Sequence, residues 1–200
     1  MRKHILTTAA VAAAIAGAFA GEPSFGTLTD NKDGQTYKTV KIGTQTWMAE
    51  NINYQTKGGS WCYDNKADNC KKYGRLYDWM TAKTVCPKGW KLPDTADWNR
   101  LIVSVGGDKK AGKMLEAKSG WYGKKGNGTD DFGFSALPGG YRRNDGNFYG
   151  VGNGGGWWTA TEYGSECAYY RNMDYLNDNV YEGYDNKSTG FSARCVKDSK

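Results

Sequence analysis

The chain has 200 residues with 27 lysines and arginines against 21 aspartates and glutamates, and its length fits one domain. Its single histidine is His4, so a form without the N-terminus has no histidine for nucleophile activation, catalytic zinc or general-base catalysis. The net charge of +6 is spread over single residues and pairs rather than a basic stripe, so we expect no nucleic-acid partner.

The first twenty residues have the order of a secretory signal peptide. Arg2 and Lys3 precede an apolar run over residues 5–16, and small residues precede a cleavage site that we predict after Ala20. No later stretch approaches the ~20 apolar residues of a membrane span, so we expect no span after cleavage. The protein should therefore be exported to the outer cell surface, the extracellular space or the periplasm. Residues 21–29 lack periodicity and are predicted to be a lead-in, with structure beginning near Thr27 and one domain over residues 30–200.

Five cysteines in an exported chain indicate disulfides. Cys62 and Cys70 bracket a short polar loop and should form a local bridge. A bridge from Cys86 to Cys195 would close a long loop, for which the chain-entropy treatment gives ~4–5 kcal/mol of stabilisation. Cys167 is then left over, either as a buried thiol within a strand or as half of an intermolecular bridge.

The first elements are predicted to be short antiparallel strands. Residues 36–42 alternate polar and apolar side chains between turns at 31–34 and 43–44, which favours two or three strands. Trp47 and Met48 follow and should enter the core.

Two or three helices are predicted next. Residues 74–84 place apolar side chains on one face and indicate a helix. A second helix should begin after Asp94 as N-cap, because apolar residues from Trp98 to Val105 follow i, i+3, i+4, i+7 spacing. A short third helix is predicted near residues 111–117.

The remaining chain, from residue 120, mixes glycine, asparagine and aspartate with aromatic residues and predicts strands and loops. Residues 168–173 and 180–184 flank a polar turn and should form a hairpin. Residues 191–196 form the last predicted strand, which would bring Cys195 back toward Cys86.

Several segments resemble one known family, the Fibrobacter succinogenes major paralogous domain. They are DGQTYKTVKIG (33–43), WMAEN (47–51), YGRLYDW (73–79), CPKGWKLP (86–93), GFSALPGG (133–140) and GFSARC (190–195). The resemblance spans about residues 30–198. It implies an exported, surface-associated bacterial domain without an assigned catalytic activity.

A more distant, motif-sized resemblance links Leu92, Pro93 and Trp98, together with the closing GFSARC strand, to the C-type lectin-like and formylglycine-generating-enzyme superfamily. It implies an α+β fold with two to three helices packed on a small twisted antiparallel sheet with long irregular loops. The calcium-binding triplets of C-type lectins are absent except for a faint likeness at residues 176–178. Only Cys167 remains outside the predicted bridges, whereas the enzymes need a cysteine pair.

An aromatic surface in the loop-rich half is the leading candidate site. Sugar rings present flat apolar faces edged by hydroxyls, and exposed rings flanked by amides, carboxylates and arginines match them. Core packing is the alternative for every ring and the expected role of Trp47, Trp79, Trp90 and Trp98. Trp157 and Trp158 point to opposite faces of a strand, and we expect Trp157 to be the more exposed. The candidate ligand-binding residues are Tyr141, Arg142, Tyr149, Trp157, Tyr163, Tyr175 and Tyr181.

Carboxylates allow a second interpretation. Glycoside hydrolysis needs an acid paired with a second carboxylate, and Glu162, Asp174, Asp145 and Asp131 lie in aromatic surroundings. Spacing selects no pair among them. Residues 127–131 could hold a cation such as calcium, or form a self-capped turn. We expect no catalytic residues, no metal and no cofactor.

The sequence therefore predicts a secreted or cell-surface, non-catalytic module that binds a polysaccharide or surface glycan. The family resemblance points to plant cell-wall polysaccharide, because it implies a fibre-degrading bacterium. The first alternative is a structural surface subunit that assembles with copies of itself or with other surface proteins. A carboxylate-based glycoside hydrolase is the second.

Overall fold

A computed structural model describes residues 23–123 and 126–198, so the predicted signal peptide lies outside the described residues. This part of the chain has an α+β fold with two sheets and four α-helices. The helices are α1 (Ala67–Tyr73), α2 (Trp79–Ala82), α3 (Thr95–Ser104) and α4 (Asp108–Leu115). The strands are β1 (Ser24–Thr29), β2 (Thr36–Ile42), β3 (Gln45–Met48), β4 (Ser60–Trp61), β5 (Leu76–Tyr77), β6 (Gly139–Arg142), β7 (Phe148–Val151), β8 (Gly154–Glu162), β9 (Cys167–Asp174), β10 (Tyr181–Asn186), β11 (Phe191–Ser192) and β12 (Val196–Asp198).

The first sheet is antiparallel, in the order β1-β2-β3-β12. Strand β2 has the predicted bounds, and Trp47 and Met48 are fully buried as expected. The expected start of structure near Thr27 was three residues late. Strand β1 begins at Ser24 because its ladder with β2 extends from Ser24 opposite Lys41 to Thr29 opposite Thr36.

The second sheet has the order β10-β9-β8-β11-β5-β4, with β6 also beside β8 and β7 beside β6. The predicted hairpin is confirmed as β9 and β10. An entirely antiparallel sheet was expected, yet β8 runs parallel to both β6 and β11. The single last strand predicted over residues 191–196 is divided between the sheets, because the chain leaves β11 and joins the first sheet as β12.

The second predicted helix is confirmed as α3. Asp94 accepts a hydrogen bond from the Asp97 backbone at 2.7 Å, and Asp97 accepts one from the Asp94 backbone at 3.0 Å. This reciprocal capping box satisfies two helix-end N–H groups. Helix α4 begins at Asp108, three residues before its predicted start. None of the helices in the described ranges is long and apolar enough to cross a bilayer.

The helix predicted over residues 74–84 was wrong in its first half. Leu76 and Tyr77 form β5 between β4 and β11, so strand pairing overrides their helical spacing. Gly74 has a φ of +76°, which ends α1 and turns the chain into β5. The first turn of helix α1 lies in the segment between Cys62 and Cys70 that was predicted to be a polar loop.

Both predicted disulfides are present. Cys62 and Cys70 have a Cα–Cα distance of 4.9 Å, and Cys86 and Cys195 one of 5.8 Å. Cys167 lies in β9, as expected for a thiol in a strand, but it is half-buried rather than buried and forms no disulfide.

Strand β8 separates two hydrophobic cores. On one face Trp157 packs with Trp98, with 6.3 Å between ring centroids, and on the other Trp158 packs with Phe191 at 4.8 Å. Both tryptophans are fully buried, so the expectation that Trp157 is the more exposed was wrong. The prediction assumed one core, whereas Trp157 packs in a core with residues of α3 and Trp158 in a core with residues of α2. Trp47, Trp79 and Trp98 are buried as predicted, and Trp90 is half-buried.

A polar network joins the cores. The fully buried Arg194 guanidinium donates from Nε and Nη2 to Asn51 Oδ1 at 3.0 and 2.8 Å, and Trp157 Nε1 donates to the same oxygen at 2.8 Å. Arg194 Nη1 also donates to the Phe134 carbonyl. Hydrogen bonds to neighbouring residues on both sides thus fix the Arg194 side chain. Burial also removes its guanidinium from water, and this desolvation lowers the pKa of Arg194 to about 9.

Candidate functional site

An open groove of about 360 Å³ lies on the Trp158 face of the second sheet. We call it the Tyr141 groove. Its lining comes from β6, the turn after it, the β9–β10 hairpin and the segment leading into β11. The lining residues are Tyr141, Arg143, Asn144, Tyr170, Asn172, Asp185, Thr189 and Phe191.

Three aromatic rings shape the apolar part of the Tyr141 groove. Tyr170 stacks on the buried Phe191 ring with 4.4 Å between centroids and 19° between planes, and Tyr141 lies 5.8 Å from Phe191. Gly183 makes room for Tyr170, because a Cβ at Gly183 would come within 2.9 Å of that ring. Burial and the nearby Asp185 carboxylate raise the pKa of the Tyr170 hydroxyl, which is therefore a hydrogen-bond donor at neutral pH.

Polar side chains line the remaining wall. Asp185 Oδ1 accepts hydrogen bonds from the Asn186 backbone at 2.7 Å and from Thr189 Oγ1 at 3.1 Å, which fixes its orientation. Asn172 Nδ2 donates to the Gly155 carbonyl at 3.2 Å. The other oxygens, Asp185 Oδ2 and Asn172 Oδ1, accept no hydrogen bond from residues 23–123 and 126–198. They are available to hydroxyl groups of a ligand.

The lining of the Tyr141 groove combines aromatic and polar side chains. Rings, a carboxylate, amides and the exposed Arg143 can hold a polar ligand that has apolar faces. Its lining contains one carboxylate, Asp185, and no cysteine or histidine. The groove therefore lacks the carboxylate pair that glycoside hydrolysis requires.

Three of the seven predicted ligand-binding residues lie in or beside the Tyr141 groove. Tyr141 lines it, and the ring of Tyr149, 38% exposed, lies 5.8 Å from the Tyr141 ring. Tyr181 pairs with Asn172 across the β9–β10 ladder and is 42% exposed. Directly paired residues share a sheet face, so Tyr181 extends the aromatic surface past Asn172.

The other four predicted residues lie elsewhere. The Arg142 guanidinium stacks over Trp61 at 4.2 Å, and Trp157 is buried beneath the sheet. Tyr175 packs against Tyr122 at 5.4 Å beside the Trp157 core. Tyr163 stacks on Tyr184 at 3.8 Å with nearly parallel planes. Strand alternation places Tyr184 on the opposite face from Asp185.

Sequence reasoning gave no binding role to Asn172, Asp185, Thr189 and Phe191. A usable signal was nevertheless present, since the predicted hairpin puts i and i+2 on one face and thereby groups Tyr170 with Asn172. The positions of Thr189 and Phe191 depend on the crossing from β10 to β11, which no local pattern specifies.

The carboxylates considered for hydrolysis are held in separate local structures. Glu162 pairs with Lys187 at 3.3 Å, and Asp174 accepts from the Leu176 backbone at 2.9 Å in a turn. A backbone hydrogen bond from Asn147 lowers the pKa of the Asp145 carboxyl. Asp131 lines a different groove.

The segment 127–131, considered for a cation, is held by hydrogen bonds from residues on either side of it. Asp130 accepts from the Ser135 backbone at 2.7 Å and from Ser135 Oγ at 2.6 Å, and Asn127 Oδ1 accepts from the Trp121 backbone at 3.1 Å. These two side chains thus cap neighbouring segments rather than their own turn. In the described ranges, no group of three or more histidine, cysteine, aspartate or glutamate side chains is arranged to hold a metal ion.

Comparison with known proteins gives one match. The family model for the Fibrobacter succinogenes major domain matches residues 40–197. No curated protein and no solved structure matches the chain. The family match includes the Cys86–Cys195 bridge, every residue of the Tyr141 groove and the buried residues of both cores apart from Tyr37. The chain therefore belongs to the Fibrobacter succinogenes major domain family.

Proposed function

We propose that this protein is an exported, non-catalytic module that binds polysaccharide through the Tyr141 groove. The observation that carries the proposal is the joint presence of the half-buried Tyr141 and Tyr170 rings and two unoccupied acceptor oxygens, on Asp185 and Asn172. A sugar ring can stack an apolar face on an aromatic ring while its hydroxyls donate to those oxygens.

The scaffold supports such a role by holding the lining in place before a ligand arrives. Phe191 lies four residues before Cys195, whose bridge to Cys86 ties this strand to the helical half. Tyr170 and Tyr141 both pack on Phe191, so their rings lose little freedom when a ligand binds. Preorganisation of this kind lowers the entropic cost of association.

The proposal also includes export of the protein and a C-type lectin-like architecture. Two disulfides fit an oxidising compartment outside the cytoplasm, at the cell surface, in the medium or in the periplasm. A C-type lectin-like architecture is supported by the start of α3 after Leu92 and Pro93 and by a disulfide that joins this region to the final strand.

Retention on insoluble glucan, xylan and mannan tests the proposal. We expect the double variant Tyr149→Ala/Tyr181→Ala to lose most of the retention, because both exposed rings border the Tyr141 groove. Tyr163→Ala is the matched control, since Tyr163 is 45% exposed but stacks on the opposite face. Absence of retention on every polymer, or equal loss in the control, would contradict the proposal.

Self-assembly is a second candidate function, favoured by β10. This strand pairs with β9 alone among the strands of the described residues, and it carries the exposed Tyr184. Unpaired strand edges can join copies of a chain. Concentration-dependent oligomers in sedimentation, together with no retention on glycans, would favour assembly over binding. Turnover of a glycan that is lost in Glu162→Gln or Asp174→Asn would instead favour an enzyme.

A further inference from the structure

A second groove, of about 800 Å³, lies between β2, the end of α1 and the segment 130–135. We call it the Arg194 groove, after the arginine in its floor. It shares no lining residue with the Tyr141 groove. Its lining also differs chemically, because it contains four lysines, whereas the lining of the Tyr141 groove contains none.

The floor of the Arg194 groove holds a buried cation without an anionic partner. Arg194 is 1% exposed, and its guanidinium bonds only to neutral acceptors, namely the Asn51 side chain and the carbonyls of Phe134 and Ser135. Among the described residues no carboxylate lies within 4 Å of it. An arginine buried in this way usually pairs with a carboxylate or phosphate, whereas Asp130 and Glu50 act on the Arg194 charge only from beyond ion-pair distance. An anion that enters the groove would therefore be attracted to Arg194.

The rim adds further positive charge. Lys38, Lys72 and Lys118 are exposed, and none of them forms an ion pair within the described ranges. The lining also contains three carboxylates, which its five cationic side chains outnumber. Glu50 accepts from the Lys38 backbone at 2.7 Å, Asp130 caps Ser135, and Asp131 follows it in the chain. A cleft lined mainly by one sign of charge raises the local concentration of the opposite charge.

Other lining groups suit a ligand that also has hydroxyls and an apolar face. The Phe25 ring is 63% exposed and lies over Gly133 at the edge of the groove, where a Cβ on Gly133 would come within 2.4 Å of the ring. Gln35 and Asn53 contribute side-chain amides. Such a mixture of ring, amide and cation matches an acidic sugar better than a simple inorganic anion.

We propose that the Arg194 groove binds a carboxylate-bearing saccharide, such as a stretch of polyuronic acid. The carboxylates face Arg194 and the rim lysines, and a sugar ring packs on Phe25. The site is independent of the Tyr141 groove, and the protein would then hold two chemically different glycans.

Titration calorimetry with a galacturonic acid oligomer tests the inference on the purified protein. We expect binding that weakens with added salt, because exposed charges contribute. The triple variant Lys38→Gln/Lys72→Gln/Lys118→Gln should bind at least tenfold more weakly. The control Lys57→Gln/Lys88→Gln/Lys109→Gln removes the same charge from exposed positions outside the groove and should retain most of the affinity.

Two further probes separate sugar recognition from charge alone. The same oligomer with its carboxylates reduced to alcohols should bind at least tenfold more weakly, and poly-glutamate of equal charge should not match the galacturonate. Phe25→Ala should weaken galacturonate binding and leave the fold intact, since its ring is mostly exposed. These variants avoid Arg194, whose replacement could unfold the protein.

Several outcomes would overturn the inference: no binding of galacturonate, equal binding of the reduced oligomer or poly-glutamate, or equal losses in the two triple variants. The variant Tyr149→Ala/Tyr181→Ala should bind galacturonate normally. Failure of the Tyr141 groove to hold neutral glycans would therefore leave this result unchanged, and the two proposals can fail separately.

Discussion

At the scale of single residues, Asn51 connects more of the structure than its size suggests. Its side-chain oxygen accepts from Arg194 and Trp157, and its amide nitrogen donates to the Tyr73 carbonyl at 2.8 Å. These bonds link the end of α1, strand β8 and the segment between β11 and β12. A buried arginine is tolerated here because neutral dipoles satisfy its donors, which leaves its charge without a counter-ion.

A second prediction at the scale of residues concerns the stability effect of a glycine in β6. Gly140 has a φ of +66°, and a Cβ there would lie 2.4 Å from the Tyr149 carbonyl oxygen. We expect Gly140→Ala to lower the free energy of unfolding by about 1–2 kcal/mol through backbone strain, and by a further ~1–3 kcal/mol through the clash. Urea denaturation measures both contributions together.

Gly152 offers the matched control. Its φ is +83°, but a Cβ there would meet no heavy atom within 4 Å. The free energy of unfolding of Gly152→Ala should therefore fall only by the contribution from backbone strain. If the two alanine variants were equally stable, the close approach of Tyr149 to Gly140 would not matter energetically.

At the scale of elements, one disulfide joins cysteines that are close in the sequence and the other joins cysteines that are far apart. Cys62 and Cys70 are 8 residues apart, and Cys86 and Cys195 are 109 apart. The chain-entropy treatment gives about 2.5 kcal/mol for the first bridge and about 5 kcal/mol for the second. Replacing each pair by alanine should therefore cost roughly twice as much for Cys86/Cys195, as measured by chemical denaturation.

Cys167→Ala provides the control for this comparison. Its thiol is unpaired and half-buried, so its loss should cost less than ~1 kcal/mol. A cost for Cys86/Cys195 no larger than that for Cys62/Cys70 would show that the long-range bridge does not constrain the unfolded chain as assumed.

Elements with strong local signals were predictable, and those set by distant pairing were not. The capping residue Asp94 and the apolar spacing after it identified α3, and alternation identified β2 with its bounds. Leu76 and Tyr77 carry a helical pattern but pair with β4 and with β11, a strand far away in the chain. The candidate site follows the same division. Tyr141 and Tyr149 lie near each other in sequence and were both among the predicted residues, whereas Asp185 and Phe191 join them only through sheet topology.

At the scale of the whole molecule, the two cores on either side of β8 explain how the chain presents two unlike grooves. The Trp158 core extends through Phe191 to the floor of the Tyr141 groove. The Trp157 core ends at the Arg194 network, which forms the floor of the Arg194 groove. The two grooves share no lining residue, so surface changes in one should leave the other intact.

Stability of the whole protein should depend on pH through Glu116. This carboxyl is 2% exposed, its Oε1 is buried without a hydrogen-bond donor among the described residues, and desolvation raises its pKa from 4.5 to about 8. Lys113 opposes this shift, while Asp174 and Asp178 add to it. Between these two pKa values the folded protein holds a proton that the unfolded chain releases. The free energy of unfolding should therefore fall as pH rises from about 4.5 to 8, and this contribution becomes constant above that range.

Glu116→Gln tests this dependence, because glutamine keeps the shape of a protonated glutamate and cannot ionise. We expect the variant to unfold at a higher temperature than the parent protein above pH 8, with the difference shrinking toward pH 5 in calorimetric scans. Glu162→Gln changes an exposed carboxylate and should leave the pH profile almost unaltered. If Glu116→Gln followed the parent curve at every pH, Glu116 would have to be ionised in the fold at neutral pH, and an unseen rearrangement would have to solvate it.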